Sequence, residues 1–296
     1  MKRVLYLSIA AAALALAVSC NKSDAQAPVA TNEPAEVVFR AAGPVFNADV
    51  ATKATVENQT TLTSFNVAAA TGVAGSSGAQ VWNGVFSKDG SLFKGGKYWP
   101  STNPTYHFYA SNAAVTVSAS GATVAATNAK DVVCAYLPAS QVGYKTTNSL
   151  AFEHVFARIG DVTVSAATGY TLSGVSITLV PKTGGTYNLF SGAGKTDGTG
   201  WSATTNGTAT GIANATAGTK SNDIYLVPGQ YELTATWTAT NGNYTQTYSN
   251  KKKTVSIVGG KVNKISTTLG GEASEIEFNI TVADWGENTI PVNFDM

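Results

Sequence analysis

Histidine and cysteine are nearly missing from this chain, with two of each in 296 residues. That leaves little material for a metal centre or for general-base chemistry. Charge is sparse as well. Asp, Glu, Lys and Arg make up 12% of the chain, about half the usual share. Neither sign dominates: 19 Lys and Arg stand against 18 Asp and Glu, for a net charge of +1. A nucleic-acid partner normally requires a basic patch, so none is expected. No HExxH, CxxC or GxSxG pattern occurs, which removes the usual anchors for zinc and serine hydrolases. His107 and His154 lack zinc-site spacing and read as hydrogen-bonded structural residues. Taken together, these absences argue against an enzyme and imply no metal and no cofactor.

Hydrophobic residues are plentiful at 44%, enough for a core and too many for a disordered chain. At about 150 residues per domain the length suggests two domains. Thr, Ala and Gly dominate the polar and small positions, which suits an all-β protein.

The first residues read as an address. Lys2 and Arg3 precede an uncharged apolar run from Val4 to Val18, then Ser19-Cys20. The run is short for a membrane span and has the layout of a signal peptide. Its end, Ala17-Val18-Ser19-Cys20, resembles a bacterial lipobox, in which the Cys becomes the acylated N-terminus. An ordinary secretory signal with a chance Cys is the other reading. A lipoprotein signal over 1–19 is therefore expected, with a flexible tether over 20–35 that carries Pro28 and Pro34. Loss of Lys2 and Arg3 takes the net charge from +1 to −1. Acylation would leave Cys134 as the one free thiol. Its setting, Asp131-Val132-Val133-Cys134-Ala135-Tyr136-Leu137, is an apolar β-like run and predicts a buried, inert Cys.

From Ala35 onward, short strand-like runs alternate with Gly, Asn, Ser and Pro turns. Tyr231, Leu233, Ala235 and Trp237 alternate with Glu232, Thr234, Thr236 and Thr238. Ile276, Phe278, Ile280 and Val282 alternate with Glu277, Asn279 and Thr281. Each predicts a strand with one buried face. Asn241-Gly242 predicts a type I′ hairpin, and Gly259-Gly260 a second one. Leu150–Ile159 is the best stretch of helical period, and it is short. The Thr/Gly/Ala segments 111–129 and 191–221 read as exposed loops or edge ribbons.

Other motifs in the chain fall short of a functional site. Gly192-Ala193-Gly194-Lys195-Thr196 looks like part of a phosphate-binding loop, but Leu189 stands where the pattern needs Gly. Asn58, Asn206, Asn214 and Asn243 begin N-x-[ST] triplets, which a Thr-rich chain produces by composition. Trp201, in polar surroundings, is the Trp expected to be exposed, so a glycan-binding face is weakly motivated.

Several blocks, in order, carry a resemblance. They are the lipobox, Val37-Val38-Phe39, Thr52-Lys53-Ala54-Thr55 and Leu62-Thr63-Ser64-Phe65-Asn66-Val67. Then come Tyr98-Trp99-Pro100, Tyr106-His107-Phe108-Tyr109-Ala110 and Leu150 to Ile159. Tyr225-Leu226-Val227-Pro228-Gly229 and Val282-Ala283-Asp284-Trp285 close the series. The chain resembles the fimbrillin-like lipoproteins, subunits of type V pili of anaerobic Gram-negative bacteria.

The resemblance implies two tandem transthyretin-like β-sandwiches, here 36–147 and 148–296. It implies a surface-exposed outer-membrane lipoprotein anchored through Cys20, whose partners are other fimbrial subunits and, through adhesion, host or bacterial surface ligands. It also implies assembly by strand exchange, in which a protease cuts after the first strand, the strand leaves, and the next subunit donates a replacement. Val37 and Phe39 would be the displaced side chains. Arg40 or Lys53 would be the processing site, unless the chain is an uncleaved anchor. Ile290, Val292 and Phe294 would form the donor strand, or else the last strand of their own domain. A stand-alone surface lipoprotein that binds a glycan is the alternative function.

Overall fold

The computed structural model describes residues 34–43, 61–72, 79–118, 121–213, 224–271 and 276–284. Among them there are twenty strands and no α-helix; a single 3-10 turn spans Ala139–Gln141. The fold is all-β, as the β-branched composition predicts.

The first strands are β1 (Glu36–Ala42), β2 (Ser64–Ala70), β3 (Gln80–Asp89), β4 (Leu92–Tyr98) and β5 (His107–Ser111). With β8 (Val133–Leu137), β9 (Thr147–Ala151) and β10 (Glu153–His154) they make one eight-stranded sheet, in the order β10-β8-β5-β2-β3-β4-β1-β9. Strands β9 and β10, which follow the turns around residue 145, thus hydrogen-bond into the same sheet as β1. The sheet curls until its two halves face each other. Phe39 of β1 meets Phe108 of β5 with ring centroids 5.0 Å apart, although three strands separate them in the sheet. Val37, Phe65, Val67, Phe86, Leu150 and Phe152 fill the space between the halves.

Part of the outer face of this sheet is covered by a four-stranded sheet ordered β14-β13-β7-β6. It consists of β6 (Val115–Ser118), β7 (Gly121–Thr127), β13 (Lys182–Asn188) and β14 (Trp201–Asn206). The segment 111–129, expected as loop or ribbon, therefore contains an inner strand, and Ala122, Val124 and Ala126 of β7 are buried. Alanine is a poor signal of burial in a sequence, yet its size fits a sheet packed against Tyr109, Cys134 and Phe156. Of the segment 191–221, β14 (Trp201–Asn206) is an exposed edge strand as expected, Thr210–Ala213 form a second edge strand with Ile212 and Ala213 buried, and 214–221 lie outside the described residues.

Two further sheets form a sandwich. One is ordered β16-β11-β19-β20, from β16 (Ile224–Leu226), β11 (Ala157–Ala166), β19 (Lys261–Leu269) and β20 (Asn279–Asp284). The other is ordered β15-β12-β17-β18, from β15 (Thr210–Ala213), β12 (Thr171–Leu179), β17 (Gly229–Asn241) and β18 (Tyr244–Ile257). Tyr231, Leu233, Ala235 and Trp237 are buried here, as the alternation predicts. Trp237 stacks on Tyr248 at 4.8 Å, and its indole N–H donates to the Gly270 carbonyl at 3.1 Å. Ile276 and Phe278 are also buried, but the paired strand begins only at Asn279.

Both predicted hairpins change on folding. Asn241 pairs with Tyr244, so the two-residue turn is Gly242-Asn243. Only Gly242, with φ at 57°, has the positive value, which is the pattern of a type II′ turn. Gly259-Gly260 is not a hairpin, because β18 pairs with β17 whereas β19 pairs with β11 and β20. The glycines cross from one sheet to the other. The Gly259 and Gly260 amides donate to the carbonyls of Thr196 and Phe156. Leu150–Ile159 forms no helix; it is divided among β9, β10 and β11, with a bend at Phe156.

Candidate assembly groove

Strand β1 reads EVVFRAA, and the alternation turns Val37 and Phe39 to the same face. Both are fully buried, and Arg40 points to solvent. On one side β1 pairs antiparallel with β4, Glu36 opposite Tyr98 and Phe39 opposite Phe93. On the other side it pairs parallel with β9, from Val38 opposite Thr147 to Ala42 opposite Ala151. Taking β1 out would free a backbone edge on each neighbour and uncover the pockets beneath Val37 and Phe39.

The Phe39 pocket is aromatic. Its ring lies edge-on to Phe86 and Phe108, each with centroids 5.0 Å away. Trp82 backs both of these rings, at 6.0 and 5.8 Å. Trp99 approaches Phe108 from another direction, at 6.0 Å. A Cβ at Gly95 would stand 2.9 Å from the Phe86 ring and 2.7 Å from the Val85 carbonyl. Only glycine lets β4 pass this close to Phe86. The turn into β9 is fixed by buried Asn148, whose amide donates to the carbonyls of Gly143 and Thr146 and whose oxygen accepts from Gly143 N–H.

The structure thus brings Val37 and Phe39 together on one pocketed face, with Arg40 exposed on the strand itself. Cys20, Lys53, Ile290, Val292 and Phe294 lie outside the described residues. Sequence reasoning missed β9 as the parallel neighbour of β1. Its signal was present, since Asn148 and Leu150 alternate with Thr147, Ser149 and Ala151, and the first pair is buried.

The remaining candidates resolve into packing. His107 faces away from the core that holds Tyr106 and Phe108; its Nδ1 is 3.0 Å from the Tyr136 hydroxyl and its Nε2 3.1 Å from the Gly72 carbonyl. His154 Nδ1 is 2.9 Å from the carboxylate of Asp131, and both side chains are buried. Among the described residues no group of three or more His, Cys, Asp or Glu side chains could hold a metal ion. Cys134 is buried, and burial pushes its thiol up to about 12. In the Gly192–Thr196 loop the Gly194 amide is already taken by the protein's own Glu153 carboxylate, at 2.9 Å.

Trp201, expected to be exposed, is half-buried. It packs on Phe156 and Tyr187 at 5.0 and 5.4 Å, and its indole N–H donates to the Val155 carbonyl. A polar neighbourhood in sequence did not reveal the aromatic neighbours supplied by other strands. Among the described residues the exposed aromatics are Tyr98 on β4, Phe190 in the loop after β13 and Tyr244 on β18.

Comparison with known proteins places this arrangement. No curated protein sequence matches the chain. A fimbrial protein from Bacteroides vulgatus superposes with a TM-score of 0.52 at 13% identity, over 84% of this chain and 99% of that one. A candidate cell adhesion protein from Bacteroides eggerthii gives 0.51 at 14% identity, over 86% of this chain and 96% of that one. These likenesses show a shared fold. The model of the fimbrillin-like family matches residues 40–285. The chain belongs to the fimbrillin-like family.

Proposed function

We propose that this protein is a non-enzymatic subunit of cell-surface fimbriae that polymerises by strand exchange through the β1 groove. One observation carries the reading: β1 lies between β4 and β9 and plugs an aromatic pocket with two fully buried side chains. Burying a Val or a Phe side chain contributes about 1.5–3 kcal/mol each. Loss of β1 would forfeit that burial and the two ladders of hydrogen bonds. A strand from another subunit would restore both, so polymerisation becomes favourable only after the cut. The tandem transthyretin-like architecture, 36–147 and 148–296, belongs to the same proposal. So do acylation at Cys20, attachment to the outer membrane, processing at Arg40 or Lys53, and adhesion to other surfaces.

The test is to remove β1 from the purified mature chain with an Arg- or Lys-specific protease, verify the loss by mass, and follow particle size and electron micrographs. Filaments that form only after the loss support the proposal. A remainder that stays monomeric with its C-terminal segment intact defeats it, and leaves a lone surface lipoprotein on a fimbrillin-like fold.

A further inference from the structure

We propose that β18 is a latent strand-addition edge, held shut by Lys251, Lys252 and Lys253 together with a bulge at Asn250, so that it does not pair with β18 of a second copy. The inference concerns the second sandwich alone and does not depend on the strand-exchange reading.

β18 ends its sheet. Among the described residues it pairs with β17 and with nothing on its other side. At 14 residues it is the longest strand at any sheet end among them. A row of backbone amides and carbonyls of that length is a template for pairing with a second copy unless something prevents it. Composition at both ends of the strand invites pairing, since Tyr244, Thr245, Thr247, Val255 and Ile257 favour extended backbone.

Two features oppose it. The first is a break in the line of the edge. Ala235 stands opposite Lys251 but Trp237 stands opposite Tyr248, so Ser249 and Asn250 share the single partner Thr236. Asn250 takes a φ of 53°, and its N–H donates to the Thr236 hydroxyl at 3.2 Å. An extra residue of this kind bends the strand and increases its twist, so a straight partner cannot follow both halves.

The second is charge. The register sets Lys251 and Lys253 opposite Ala235 and Leu233, which are buried in the core, so both lysines belong to the inner face of the sandwich. Each is half-buried. A lysine so placed lays its stem along the rim of the core and keeps its ammonium in water. Lys252 belongs to the outer face, with its ammonium 2.8 Å from the Glu232 carboxylate. A second β18 would cover the rim where the inner ammonium groups reach water. Paired antiparallel about a two-fold axis at Lys252, it would set Lys251 opposite Lys253 of the second copy and Lys252 opposite its own counterpart. Like charges directly opposite one another are destabilising. With the axis at Thr254, Lys251 and Lys253 would meet Ile257 and Val255 of the second copy, and the ammonium groups would lie over an apolar face.

The purified mature chain, left uncut so that β1 stays in place, is the material for the test. Sedimentation velocity over a range of concentrations reads its size, and hydrogen exchange followed by mass spectrometry reads β18. The native chain should be monomeric. The Lys251→Val/Lys253→Val form should dimerise, with exchange across Lys251–Ile257 slowed at least about tenfold as concentration rises. The Lys251→Arg/Lys253→Arg form keeps both charges and should stay monomeric. Lys251→Thr/Lys253→Thr takes the place of the valine form if tryptophan fluorescence shows that form to be unfolded, and the same dimer is expected of it. A folded valine or threonine form that stays monomeric overturns the proposal. So does a dimer whose β18 exchange is unchanged, a dimer of the arginine form, or a native chain that already associates through β18.

Discussion

The ring of Phe39 stands at 83° to the ring of Phe108, centroids 5.0 Å apart, across the interior of a single curled sheet. This edge-to-face contact joins the strand nearest the start of the described chain to the far side of its own core. Such pairs contribute about 0.5–1.5 kcal/mol beyond the area they bury. Phe39→Ala should therefore destabilise the uncut protein by about 3–5 kcal/mol. Urea unfolding followed by tryptophan fluorescence measures it. A loss below about 1 kcal/mol would mean that β1 is not an energetic part of the core.

Two buried tryptophans should respond differently to the same change. Trp237 donates its indole N–H to the Gly270 carbonyl, whereas the indole nitrogen of Trp99 has no hydrogen-bond partner among the described residues. Trp237→Phe leaves a buried carbonyl unpaired, at about 1–3 kcal/mol beyond the loss of volume. Trp99→Phe carries no such term and should cost less. Equal costs in denaturant titrations would contradict the assignment. Trp237→Ala should cost about 3–5 kcal/mol.

Arg40 is exposed, but its main chain is paired with β9 opposite Ser149. A protease needs an extended, unpaired segment, so an Arg-specific enzyme should cut the native chain slowly after Arg40 and readily once β1 is loosened by Phe39→Ala. Peptide mapping over a time course distinguishes the two. Rapid cleavage after Arg40 in the unmodified protein would show that β1 opens freely.

Burial holds the Cys134 thiol and the Tyr231 hydroxyl up at about 12, from ordinary values of 9.0 and 10.0. Both acids are neutral when folded at a pH where the unfolded chain ionises, so the folded state binds more protons there. Stability is then fully present below about pH 9 and falls as pH rises toward 12. Thermal melts from pH 8 to 11 should show a declining midpoint. Cys134 is buried and its thiol is held well above the ordinary range, so alkylation at pH 8 should require unfolding.

The sequence by itself determined which residues point inward along a strand. In β1 and β17 a period of two places Val37, Phe39, Leu233 and Trp237 on buried faces, because that period is a property of the extended backbone itself. It also announced the family, through short blocks whose order survives. The tertiary structure alone decided which strands pair. Gly259-Gly260 looks like a hairpin and is a crossing between sheets, because β19 finds a parallel partner in β11, about a hundred residues earlier. β1 likewise takes β9 as its parallel neighbour, and Trp201 is half-covered by Phe156 and Tyr187. Backbone hydrogen bonds in a ladder carry no residue identity, so a sequence can show that an edge exists without showing what pairs with it. That choice falls to the shape of the packed faces, which exists only once the sheets have curled together.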